Sequence, residues 1–271
     1  TNTTIVTKCG LVDEQKLSTT EQKSALKKYQ IFVDMNGLDN NIQFFNNYRY
    51  TAFIPNNEAV QEAIANGLPT WEEIEADYNE MEPVVNTLDS LKDVMDNTDY
   101  VFVEEDSIMC DQLWEKAHAD SIKIQAKITY LTNFIRYHFA DNSIFADKSA
   151  RAESEMVTSS YDKELGLFCK LYVDRPGNDV LRVRDAYSNT MMETVGEKNV
   201  LARDIECSLK PVGRPMATSG KKITLDASSA CVIHLIPGIL NHTELKNGRH
   251  DSEWASVAAA KKYIKRYAIS K

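Results

Sequence analysis

Apolar residues along this chain change their spacing near Ala140. Before it they return every three or four positions, as on one face of a helix; after it they fall into short runs and partial alternations, as in strands. One stretch of the first half departs from that rule. Tyr50-Thr51-Ala52-Phe53-Ile54 is a compact apolar run that reads as a strand, and Pro55 stops it because proline offers no N–H to a ladder. Asn56 or Asn57 then caps a helix carrying Ala59, Val60, Ala63 and Ile64. Val232-Ile233-His234-Leu235-Ile236, followed by Pro237 and Gly238, is the counterpart near the other end. Two such strands predict one domain closed by them.

The remaining pattern fills in the elements. Ile5, Val6, Leu11 and Val12 allow an edge strand in an N-terminal extension, residues 1–17. Ser18-Thr19-Thr20-Glu21 fits a capping box, Leu26, Tyr29, Phe32 and Val33 follow at helical spacing, and Gly37 ends that helix. Gly67-Leu68-Pro69 breaks the helix after Asn57, and Thr70-Trp71-Glu72-Glu73 is a second capping box. Pro83 is placed to open a further helix through Val84, Leu88, Leu91 and Met95. Tyr100 to Val103 reads as a brief strand or a buried turn. From about Asp106 a long helix carries Ile124, Ile128, Leu131, Ile135 and His138 along one face, which sets His138 toward the core. Leu167 to Val173 and Val180 to Arg184 form a hairpin about the turn Arg175 to Asp179, and short strands are expected over 191–195, 200–209 and 223–225. A tail, 246–271, becomes helical near Ser252 and docks through Trp254, Val257, Ala258 and Ile264, leaving Lys261, Lys262, Lys265 and Arg266 in water.

Composition narrows the function more than it defines it. The 271 residues are 43% hydrophobic and 26% charged, ordinary values for a globular chain, and the net charge of −9 opposes a surface that tracks phosphates. Nucleic acid is therefore not an expected partner. The longest apolar run, Cys231 to Leu240, is about half of the ~20 residues that a membrane-spanning helix needs, so no transmembrane segment is expected. Five cysteines, Cys9, Cys110, Cys169, Cys207 and Cys231, contain no Cys-x-x-Cys pair, and the odd number leaves at least one thiol unpaired within the chain. The acidic group Glu72, Glu73, Glu75, Asp77, Glu80 and Glu82 lacks the glycine turn of a calcium loop and reads as a solvated helix face. The histidines lack His-x-x-x-His or His-Glu-x-x-His spacing, so no metal and no cofactor are expected. A hydrolase can be drawn only from dyads such as His138 with Asp141 or His234 with Asp204, with Ser159 or Ser160 as nucleophile and no Gly-x-Ser-x-Gly around either. Catalytic residues are not assigned. Asn2-Thr3-Thr4 and Asn241-His242-Thr243 are glycosylation sequons, which matter only in a secreted eukaryotic setting.

Thr51-Ala52-Phe53-Ile54-Pro55-Asn56-Asn57-Glu58-Ala59-Val60 resembles the first signature motif of fasciclin-like domains. Tyr137-His138 stands where that family carries its Tyr-His pair, and Val232 to Ile236 with Gly238-Ile239-Leu240 resembles the second motif. The three span most of residues 18–245, with 70–125 as a helical insertion. The resemblance implies a mixed α+β fold, a twisted β-sheet wedge or sandwich with packed helices. Thr51, Phe53, Pro55, Asn56, Asn57, His234 and Gly238 would be its structural motif and Tyr137 and His138 its binding pair. It further implies a secreted or cell-surface adhesion module for a cell-surface or matrix protein or a polysaccharide, with lipid anchoring through residues ahead of Thr1 as one means of attachment. Two departures stand out: Ala230-Cys231 replaces the usual Asn-Gly, and the distance from Val60 to Tyr137 is long. His138 also has a structural reading, since a buried imidazole needs a hydrogen-bond partner, which the corner at Asn56 and Asn57 can supply. The alternatives are a small-ligand pocket between the inserted helices and the sheet, and a histidine-dependent hydrolase.

Overall fold

A computed structural model describes residues 49–97, 99–203, 230–250 and 254–267. The elements expected within 1–45 and over 223–225 lie outside these. In chain order the described elements are β1 (Arg49–Pro55), α1 (Asn57–Ala65), α2 (Trp71–Met95), α3 (Glu104–Tyr137), β2 (Phe139–Asp141), β3 (Arg151–Asp162), β4 (Leu167–Gly177), β5 (Val180–Arg184), β6 (Met192–Glu193), β7 (Val195–Arg203), β8 (Ala230–Ile236) and α4 (Val257–Tyr267). The protein is a mixed α+β fold. It divides into two compact units, one holding Ile64–Thr132 and the chain from Leu245 on, the other Asn133–Glu244 with β1. The segments expected as insertion and as tail thus fall in the same unit.

The β unit is one eight-stranded sheet in the order β6-β5-β4-β3-β2-β1-β8-β7. Its two edge strands, β6 and β7, are separated in sequence by Thr194 alone. Laid flat, seven strand spacings would hold those edges roughly 34 Å apart, yet two peptide steps reach only about 7 Å. The sheet therefore curls until its ends nearly meet. β1 and β8 pair in parallel, with Phe53 opposite His234 and Pro55 opposite Ile236, so the two stretches singled out in the sequence lie side by side. Phe53, Leu171, Val173, Leu181, Val183, Ile236 and Leu240 fill the interior with Tyr137, Ile144 and Ala146. The expected hairpin is present: Asn178 and Asp179, both at positive φ, make the two-residue turn that matches strand twist, and the register shift beside it accommodates Pro176 within β4.

The helical unit rests on a stripe of Ile74, Tyr78, Met81, Val85 and Leu88, spaced alternately four and three residues apart along α2. Ile74, Tyr78 and Met81 pack against Ile124 and Ile128 of α3, with Val85 and Leu131 alongside. Pro83 does not open a helix as expected but sits inside α2. The capping box at Thr70 sets the start instead, with Glu73 N–H donating to Thr70 Oγ1 and Thr70 N–H to Glu73 Oε2. Burial of that stripe on both sides of Pro83 outweighs the ~3 kcal/mol proline cost in a helix interior. Nor do Tyr100 to Val103 form a strand or buried turn: they link α2 to α3, with Val101 79% and Phe102 69% exposed. In α4 the buried face is Ala260, Tyr263 and Tyr267 rather than Val257, Ala258 and Ile264, although Trp254 is buried as expected. Tyr130 explains the choice, since its ring meets those of Trp254 and Tyr263 at 4.8 and 5.3 Å and its hydroxyl lies 2.7 Å from His250 Nδ1.

Candidate functional site

The three motif segments converge inside the β unit. At the end of β1, Asn56 Oδ1 accepts from Ala59 N–H at 2.8 Å, so Asn56 is the helix cap and Asn57 is an exposed first-turn residue. Thr51 Oγ1 donates to the Asn142 carbonyl and accepts from Ile144 N–H, both at 2.8 Å. His234 Nε2 donates to the Ile144 carbonyl at 2.8 Å, and its ring stacks on Phe53 at 5.8 Å. Asn199 holds both backbone groups of Ala146, each at 2.8 Å. The loop joining β2 to β3 is thereby tied to β1, β8 and β7, and it drives Ile144 and Ala146 into the core. Asn142 and Asn199 reach these bonds in left-handed backbone conformations that asparagine tolerates better than most residues.

Tyr137 ends α3 and His138 follows it in the turn to β2. Tyr137 is 1% exposed; its hydroxyl donates to the Lys170 carbonyl and accepts from Ala186 N–H. His138 Nε2 accepts from Leu240 N–H at 3.1 Å, which leaves Nδ1 to carry the proton that it donates to the Phe134 carbonyl at 2.8 Å. The expected partner, the corner at Asn56 and Asn57, is not the one used. Burial pushes His138 down to about 4 against weaker opposing pulls from the Phe134 carbonyl and the Asp185 carboxylate. Burial likewise raises Tyr137 and lowers His234. Both members of the pair are therefore neutral at pH 7.

Asp185 completes this network and was not singled out from the sequence. Buried at 3% exposure, its carboxylate accepts from Tyr187 N–H at 2.9 Å, Ser188 N–H at 2.6 Å and Asn241 N–H at 3.0 Å. Its signal was local: an aspartate accepting from amides two and three residues ahead is the asparagine/aspartate turn pattern. Asn241 Nδ2, the atom a sequon glycan would occupy, also points at Asp185 Oδ2, at 3.4 Å. Gly238 leaves room for Met192, whose sulfur lies 2.6 Å from where a β-carbon would stand. Of the nominated nucleophiles, Ser159 donates to the Arg136 carbonyl and Ser160 to Asn133 Oδ1, and both are buried. Asp204 lies outside the described residues. Cys110 and Cys231 are free thiols, and burial lifts Cys231 to about 11.

The helical unit presents a different kind of surface. At the α2–α3 tip, Val94, Val101, Phe102, Ile108 and Met109 are exposed, and Trp114, stacked on His118, is half exposed further along α3. Asp93, Asp96, Asp99, Glu104, Glu105 and Asp111 stand exposed among them. Elsewhere in the same unit Asp77, Glu80, Asp120, Lys123, Lys127 and Trp254 line a cleft of about 250 Å³, across which Lys127 pairs with Asp77 at 2.5 Å. No group of histidine, cysteine and carboxylate side chains among the described residues is arranged to hold a metal, and no described helix is long and apolar enough to cross a membrane. Comparison of the chain with protein-family models, with curated proteins and with solved structures finds no match.

Proposed function

We propose that the chain is a fasciclin-like interaction module of the cell surface or extracellular space, binding a protein or glycan partner without catalysis. The observation that carries this reading is how the polar atoms around Tyr137 and His138 are used. Tyr137, His138, Thr51, Asp185 and Ser159 each bond main-chain groups of neighbouring segments, the arrangement of a scaffold that fixes loops. A buried Tyr-His pair of this kind stabilises the Ala186 and Leu240 segments and does not touch a partner. The exposed apolar and acidic side chains of the helical unit supply the contact surface. The test is binding of the purified chain to arrays of glycans and of surface and matrix proteins. Specific retention that survives Tyr137→Phe but fails in variants of the α2–α3 tip is expected; no retention on either array refutes the adhesion reading.

The charged cleft beside Trp254 favours a second reading, a site for a small polar ligand within the helical unit. At about 250 Å³ it is near the small end of ligand pockets. Native mass spectrometry of freshly purified protein decides it: a retained mass lost in Lys127→Ala supports the site, and an unadorned chain mass removes it.

A further inference from the structure

We infer that the α2–α3 tip is a docking surface for a basic amphipathic polypeptide segment of another protein, an assignment that rests on the reading of the helical unit as the contact surface. Two properties coincide there. Phe102 and Val101 are more than two-thirds exposed, with Ile108 half exposed a few residues on, and these large apolar side chains gain by leaving water. Between Asp93 and Asp111 the chain carries acidic residues at 96, 99, 104, 105 and 106 and not one lysine, arginine or histidine. A partner that buries this apolar surface must bring positive charge to its rim, because any other rim would desolvate the carboxylates unpaired. Apolar side chains flanked by lysine or arginine on a helix meet both demands, and the helix-in-groove mode reads such segments through residues at three- and four-residue spacing.

The same charge argues against the other occupants. An acidic polysaccharide or an anionic lipid headgroup meets like charge at Glu104 and Glu105. A second copy of this chain offers the exposed lysines of α4, Lys261, Lys262 and Lys265, but the apolar face of that helix is already buried through Tyr263 and Tyr267. Docking α4 there would satisfy the charge and leave Phe102 against ammonium groups. The backbone favours the acids as they stand: Glu104, Glu105 and Asp106 occupy the first turn of α3, where the helix dipole holds negative charge. Tyr100 further fixes the link, its hydroxyl donating to Asp106 and accepting from Val103 N–H.

The experiment uses the full chain and two synthetic helical peptides that share one leucine stripe, one with lysine and one with glutamate on the polar face. Fluorescence anisotropy is read at low and high salt. The leucine-lysine peptide is expected to bind with micromolar affinity and to weaken about tenfold at high salt, while the leucine-glutamate peptide does not bind. The double variants Phe102→Ser with Ile108→Ser, and Glu104→Lys with Glu105→Lys, should each weaken binding about tenfold with unchanged melting temperature, whereas Lys261→Glu with Lys265→Glu should bind as wild type. Equal binding by wild type and tip variants overturns the assignment, because attraction to the −9 chain as a whole would then suffice. So does absence of binding, or a sedimentation dimer dissolved by both the tip and the α4 variants. Retention on the glycan or protein arrays that tip variants leave intact sinks this inference alone; peptide binding at the tip without array retention sinks the adhesion reading alone.

Discussion

Acidification should destabilise this protein through His138 in a defined window. In the fold the ring is neutral, its Nε2 accepts from Leu240 N–H, and burial lowers its pKa from 6.5 to about 4. Because the lowered group is a base, the unfolded chain binds the extra proton first, so stability is complete above about pH 6.5 and is lost as pH falls toward 4. A shift of that size is worth about 3 kcal/mol in full, of which about 2.5 kcal/mol is gone by pH 4.5. The loss has a structural meaning: a proton on Nε2 would face the Leu240 N–H, and a donor would meet a donor. His234 shifts in the same direction, so the wild-type slope contains both residues. His138→Phe separates them. It removes the pH-dependent share of His138 and, by stranding the Leu240 N–H and the Phe134 carbonyl, costs about 2–5 kcal/mol at neutral pH. Urea midpoints of the two proteins between pH 8 and pH 4.5 supply the measurement. If wild type and variant lose stability in parallel over that range, His138 is not the titrating group and the buried neutral imidazole is wrong.

Three further changes separate the roles of neighbouring residues. Asn56→Ala should cost about 1 kcal/mol in thermal or urea unfolding while Asn57→Ala changes almost nothing, since only Asn56 caps α1; the reverse order would move the cap. Thr51→Val should cost about 1–3 kcal/mol by leaving the buried Ile144 N–H without its acceptor, and hydrogen exchange at Ile144 should quicken. An Ile144 amide that stays protected in that variant would count against the tie. Pro83→Ala should raise the melting midpoint by restoring a donor in α2, a gain of about 1–3 kcal/mol, and a lowered midpoint would mean that the proline shapes the helix rather than merely surviving in it.

The elements that sequence made legible are those whose signal is local. The capping box at Thr70 needs only Thr70 and Glu73, the stop at Pro55 only the missing donor, and the turn at Asn178 and Asp179 only residues that tolerate positive φ. Pro83 shows the limit of a local signal. Taken by itself a proline at that spacing is a sound helix start, and what overrides it is a stripe whose members, Ile74 to Leu88, matter only once α3 lies against them. The tail shows this again: Ala260, Tyr263 and Tyr267 are no more apolar than Val257 and Ile264, and Tyr130, more than a hundred residues away, decides which face is buried.

The site follows the same division. His138 could be set toward the core from its spacing along α3, because the period of a helix is visible in sequence. Its partners could not, because the Leu240 amide and the Phe134 carbonyl are backbone groups that every residue possesses. Thr51 and His234 similarly both reach Ile144, a position with nothing in its residue type to mark it. Side chains that recognise backbone are thus readable only as a demand for some partner, whereas Asp185 shows a demand that was readable and still passed over: its turn bonds to Tyr187 and Ser188 are local, but its bond to Asn241 joins segments more than fifty residues apart. Under the proposed reading, Tyr137, His138 and Asp185 hold the segments they pin, so substitutions there should lower stability and leave binding by the folded chain in place, while substitutions at Phe102 or Glu104 should alter binding alone.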